Sequence, residues 1–131
     1  MWRIIRRDAV AVLEDEKARR SLSRYFDVMQ DSKPAKFLIA KKIPADFDED
    51  DSLKDLWSLH DELLEEFYEL QEQIDSKMRR IEDLKTPEKS FLDLKEKIAA
   101  RIMENCHFCI RRCGVNRLEG ELGYCRCGSQ I

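Results

Sequence analysis

The first 105 residues contain no cysteine, and the whole chain of 131 has only four glycines and three prolines. So few turn formers argue against a sandwich or barrel built from many short strands. Nor does any apolar run approach the ~20 residues that cross a bilayer. The basic start, Met1-Trp2-Arg3-Ile4-Ile5-Arg6-Arg7, is followed by an apolar stretch of only Ala9 to Leu13. A secretory signal needs a longer apolar core and a cleavage site, so the sequence reads as cytoplasmic with no membrane contact. One sign of charge does not dominate either: 27 acidic against 24 basic residues give a net charge of −3, which implies no general polyanion-binding surface.

What the chain does have is charge, 39% of its residues, and strong helical periodicity. The clearest stripe is Leu53, Leu56, His60, Leu63, Phe67, Leu70, Ile74, Met78, Ile81 and Leu84, spaced by threes and fours. Ser52 opens it with Asp55 three positions on, the pattern of a capping box. Continued to Leu84, such a helix spans roughly 48 Å. Thr86-Pro87-Glu88 reads as the next start: an N-cap, proline at the first helical position, and an acid near the positive helix end. A second stripe, Phe91, Leu94, Ile98 and Ile102, follows.

The expected fold class is therefore all-α: a long antiparallel helical hairpin with short N-terminal helices and a small cysteine-rich C-terminal lobe. Residues 1–45 read as short amphipathic helices, 46–51 as an acidic linker, 52–105 as the hairpin and 106–131 as the lobe. A hairpin folded at Thr86 places Asn105 opposite Phe67, and leaves the seam from Leu53 to Leu64 for other residues to cover. The N-terminal third is the expected cover for Trp57, His60 and Leu63; a second copy of the chain is the other candidate. His60 itself reads as a packed interface histidine. The acidic residues at 46–51 lack the glycine turn and terminal glutamate of an EF-hand loop and read as a solvated linker.

Cys106, Cys109, Cys113, Cys125 and Cys127 all fall in the last 26 residues. An odd, clustered set without an export signal speaks for metal rather than disulfides. Cys106, Cys109 and Cys113 stand at C-x2-C-x3-C, and the returning Cys125 and Cys127 compete to complete a tetrahedron. Four thiolates suit zinc or an iron–sulfur cluster. His107, between two candidate ligands, would strain to reach the same ion. Phe108 and Tyr124 lie among arginines, but the thiolate charge cancels the local basic excess, so nucleic acid is not an expected partner.

The segment also resembles the stretch ahead of the catalytic barrel in radical S-adenosylmethionine proteins similar to pyruvate formate-lyase activating enzyme. Cys106, Cys109, Arg111, Arg112, Cys113, Gly114, Val115, Arg117, Gly120, Glu121, Gly123 and Cys125 match that run over about 20 residues. Ile110 replaces a usual proline, and Cys127 stands where a small residue such as alanine is more usual. The resemblance implies that Cys125 is the fourth ligand and Cys127 the spare. It also implies an accessory, metal-binding region that is inactive alone, because neither the cluster motif C-x3-C-x2-C nor the barrel is present. Zinc is then the expected ion in the isolated chain, with an iron–sulfur cluster as the alternative. S-adenosylmethionine and the catalytic cluster belong to a downstream catalytic domain, which is the first expected partner. A protein substrate or a second copy could engage the hairpin. The competing reading is a self-contained zinc-binding adaptor for protein interaction.

Overall fold

The computed structural model describes residues 7–129, and side chains from residue 10 onward. The chain divides into two compact units, Met1–Ala35 and Lys36–Ile131. Among the described residues the secondary structure is helical, with no strand and one isolated antiparallel bridge between Pro44 and Ser90. No described helix is long and apolar enough to cross a membrane.

The first unit holds three short helices: α1 (Arg7–Glu14), α2 (Glu16–Ser21) and α3 (Ser23–Met29). Asp15 starts α2 by accepting a hydrogen bond from the Ala18 amide at 2.7 Å, satisfying one of the orphan donors of a helix start. Phe26 is the buried side chain of α3, with the Tyr25 ring 5.5 Å from it edge-on and the Arg19 guanidinium over its face. Met1 to Arg6 lie outside the described residues.

The second unit contains α4 (Lys36–Ala40), α5 (Leu53–Asp75) and α6 (Phe91–Glu104), with two short 3-10 turns, Ile81–Asp83 and Arg117–Glu119. Its core gathers Ile39, Ile43 and Phe47 around Leu56, Phe67, Leu70 and Ile74 of α5 and Phe91, Leu94, Ile98 and Ile102 of α6. All four residues of the second predicted stripe are buried, and Leu56, Phe67, Leu70 and Ile74 of the first, whereas Met78 is exposed. Ser52 caps α5 as expected, its hydroxyl accepting from the Asp55 amide at 3.2 Å.

Helix α5 nevertheless ends at Asp75, not near Leu84. Its last turn closes with the Lys77 amide on the Ile74 carbonyl (3.0 Å) and the Met78 amide on the Gln73 carbonyl (2.9 Å). That pair of bonds is a Schellman closure, with Lys77 in the left-handed region at φ 60°. The Ser76 hydroxyl reinforces it by donating to the Glu72 carbonyl at 2.7 Å. The next helix likewise starts at Ser90 rather than at Thr86-Pro87. There the Ser90 hydroxyl accepts from the Asp93 amide while the Asp93 carboxylate accepts from the Ser90 amide, a complete capping box. Thr86 has lysine, not an acid, three positions on, so only Ser90 offers reciprocal capping.

The later start changes which surfaces meet. Phe91 lies 5.2 Å from the His60 ring and 6.1 Å from Phe67, between ring centroids. The Lys95 amine sits 2.7 Å from His60 Nε2. Helix α6 therefore reaches the seam that a hairpin folded at Thr86 would leave open, with Phe91 and Lys95 against His60, while Ile39 and Ile43 from the end of the 1–45 segment share the core with Leu56. The 46–51 segment has exposed carboxylates, but it is no free tether. Phe47 is buried, Lys89 Nζ donates to the Phe47 carbonyl at 2.7 Å, and Arg101 donates to the Glu49 carbonyl at 2.9 Å.

Candidate metal centre

Helix α6 delivers Cys106 directly after its C-cap, Asn105. The chain then turns back on itself. The Cys106 amide donates to the Val115 carbonyl at 3.0 Å, and the Gly114 amide to the Cys106 carbonyl at 2.9 Å. The reversal runs through Arg112 at φ 42° and Gly114 at φ 72°, and a Cβ on Gly114 would crowd Asn105 Oδ1 at 3.2 Å. Cys109 starts this turn, its carbonyl accepting from the Arg112 amide. The next 3-10 turn, Arg117–Glu119, is capped by Asn116, whose side-chain oxygen accepts from the amides of Leu118 and Glu119. A final tight turn brings Cys125 and Cys127 back, closed by the Arg126 amide on the Gly123 carbonyl at 2.8 Å.

The side chain at the centre of these turns is Arg117, only 7% exposed. Its Nε donates to Cys106 Sγ at 3.0 Å, one Nη to Cys125 Sγ at 3.4 Å, and the other Nη to the Cys127 carbonyl. Gly123 makes the room: a Cβ there would stand 2.2 Å from the Arg117 Nη2 atom. Backbone amides add to the sulfur environment. Those of Phe108 and Cys127 donate to Cys106 and Cys125, and the Tyr124 amide lies 3.3 Å from Cys113 Sγ.

Donors aimed at sulfur favour the thiolate. The Arg117 hydrogen bond, helped by the Phe108 amide, holds the Cys106 thiol below its ordinary value. The same guanidinium, with the Cys127 amide, brings Cys125 down to about 7. Cys127 moves the other way, pushed up by its hydrogen bond and charge coupling with Cys125. The thiolates in turn raise Arg117 further, through its bonds to Cys106 and then Cys125.

Of the five cysteines the sequence singles out, Cys106 and Cys125 are joined by one guanidinium, and Cys113 is held beside Tyr124, the neighbour of Cys125. Cys127 reaches the Cys125 carbonyl at 3.5 Å, whereas Cys109 and Cys125 are exposed and Cys106 is buried. Among the described residues, no three His, Cys, Asp or Glu side chains converge tightly enough to hold an ion in this arrangement. The His107 Nδ1 lies 2.7 Å from the Asn105 carbonyl, so this nitrogen is taken up by the backbone. The donor set suits a soft ion chemically: clustered thiols, two of them shifted towards thiolate, with amides already aimed at three sulfurs. Arg117 is the central residue of this arrangement that pattern reading missed. It stands in the matched run, but nothing in its spacing says that it threads between sulfurs.

Comparison with known proteins adds one relative. Over 105 residues, 80% of this chain, it is 41% identical to an uncharacterized protein of Methanocaldococcus jannaschii. The matched stretch is 29% of that protein, so the chain spans under a third of the relative's length. No family model matches the chain, and no solved structure matches it.

Proposed function

We propose that this chain is the accessory, metal-binding region of a radical S-adenosylmethionine protein similar to pyruvate formate-lyase activating enzyme. It binds one ion through Cys106, Cys109, Cys113 and Cys125, with Cys127 as the spare thiol. The observation that carries the metal reading is the amide and guanidinium donors gathered on Cys106, Cys113 and Cys125. Such donors delocalise thiolate charge and orient ligands around a metal. Cys127, by contrast, is driven towards the neutral thiol. Zinc is the ion proposed for the chain by itself, and it supplies folding energy rather than redox chemistry. Arg117 offsets part of the negative charge that four thiolates leave around a divalent ion.

The architecture that goes with this reading is an antiparallel hairpin of α5 and α6 with the lobe at its end. Contacts running in opposite order along the chain support it: Phe91 reaches Phe67, Lys95 reaches His60, and Arg101 reaches the carbonyls of Glu49 and Asp51. The accessory role rests on the motif match, on the missing C-x3-C-x2-C motif, and on a relative more than three times as long as the matched stretch. The partner is then the protein's own catalytic domain, in a cytoplasmic setting. The test is direct. The chain, reconstituted anaerobically with iron and sulfide and given S-adenosylmethionine and a strong reductant, forms no 5′-deoxyadenosine above a protein-free control. Turnover above that control overturns the reading.

A further inference from the structure

Trp57, His60, Lys95, Ile98, Ala99, Ile102 and Phe108 enclose a cleft of about 220 Å³ between α5, α6 and the first turn of the cysteine lobe. Five of these residues are apolar, and the polar groups are concentrated at one end. There Lys95 Nζ lies 2.7 Å from His60 Nε2, and His60 Nδ1 lies 3.2 Å from the Asp61 carboxylate. Those contacts fix the directions of the bonds. A carboxylate only accepts, so the imidazole donates from Nδ1 to Asp61 and its Nε2 accepts from Lys95. The Lys95 ammonium is thus the donor to the imidazole.

Lys95 has no carboxylate of its own: among the described residues no ion pair includes it. Its other neighbour is the Phe91 ring, 4.1 Å from Nζ to the centroid, which attracts a cation but does not neutralise it. Burial alone depresses this amine, with no acidic neighbour acting in the opposite direction. A partly buried charge is ordinarily paired, and here the missing partner is an anion that could enter from the cleft. The space is smaller than the roughly 300–1,000 Å³ of ordinary ligand pockets, so its occupant is small.

We propose that this cleft binds a small monocarboxylic acid with an apolar or aromatic body. Its carboxylate accepts from Lys95, and its body lies against Trp57, Ile98, Ile102 and Phe108. Asp61 and His60 are positioning residues, orienting the amine. Phe108 stands between Cys106 and Cys109, so one wall of the cleft is set by the fold of the lobe, but the proposal does not depend on a metal there.

Phenylacetate, its uncharged amide phenylacetamide, and acetate serve as probes in calorimetric and NMR titrations of the full chain. Phenylacetate is expected to saturate, with shifts confined to residues around Trp57, Lys95 and Phe108. Phenylacetamide should bind at least about tenfold more weakly, the worth of a charge-assisted bond, and acetate more weakly still. Lys95→Met should lose about tenfold in phenylacetate affinity, while Lys95→Arg, which keeps the charge, retains most of it. Unchanged helical circular dichroism separates loss of the site from loss of the fold. Equal affinity for acid and amide would overturn the proposal, as would full affinity in Lys95→Met, shifts centred elsewhere, or no saturation by phenylacetate.

Discussion

Phe91 is the residue on which the second unit turns, and truncating it measures whether the packing described here holds the unit together. The side chain is fully buried, meets His60 and Phe67 from α5, and carries the Lys95 amine on its own face. Its amide also donates to the Ile43 carbonyl at 2.8 Å, tying the α4 end to the start of α6. Phe91→Ala removes a whole ring from a closed site and leaves a cavity, a loss of about 3–5 kcal/mol. With a urea dependence of about 2 kcal/mol per molar, the unfolding midpoint should fall by roughly 1.5–2.5 M. Phe91→Leu keeps an aliphatic plug but gives up the ring contacts, and should cost about 1–2 kcal/mol. Phe108→Ala, which trims a side chain 55% exposed, should change stability by less than either. Urea titrations followed at 222 nm compare the three. A Phe91→Ala loss below about 1 kcal/mol, or one matched by Phe108→Ala, would refute the placement of α6 against α5.

Three further outcomes follow from local structure. Lys77→Gly should stabilise the chain by up to about 1 kcal/mol, because glycine occupies the left-handed closure of α5 without a Cβ penalty; an equal loss would contradict the Schellman assignment. Ser90→Ala should cost about 1 kcal/mol at neutral pH. The Ser90 hydroxyl is the main cause holding Asp93 below its ordinary value, so this contribution is full above the unfolded carboxylate value of about 3.9 and fades as pH falls through the lower folded value. Wild-type and variant urea midpoints should therefore converge in acid. Gly123→Ala in the metal-free chain should drive the Arg117 guanidinium off the sulfurs and raise Cys125 from about 7 towards an ordinary thiol, moving the pH-rate profile of its alkylation upward. An unmoved profile would mean that Arg117 does not set this thiol.

The buried faces were legible because three- and four-residue spacing is a direct image of helix geometry: Leu56, Phe67, Leu70, Ile74, Phe91, Leu94, Ile98 and Ile102 are all core. The ends were harder. Lys77 carries out a closure usually marked by glycine, so the apolar stripe reads on unbroken through Met78 to Leu84. At the next start Thr86-Pro87-Glu88 carries the familiar local signal, but reciprocal capping forms at Ser90 and Asp93. Moving that start by four residues brings Phe91 and Lys95 against His60 while Phe67, Leu70 and Ile74 stay buried. In the lobe, cysteine spacing pointed to the segment in which Arg117 meets Cys106 and Cys125. The central position of Arg117 depends on Gly123 lacking a side chain across a turn, a relation between distant residues that no local pattern encodes.

The proposed four-thiolate centre is tested most directly by elemental analysis and free-thiol counting on anaerobically purified chains, wild type beside Cys106→Ser and Cys127→Ser. The account predicts one zinc per chain in the wild type with one reactive thiol, full zinc in Cys127→Ser with none, and loss of the ion in Cys106→Ser. A metal-free wild type with all five thiols reacting, or zinc that depends on Cys127 and not on Cys106, would contradict it.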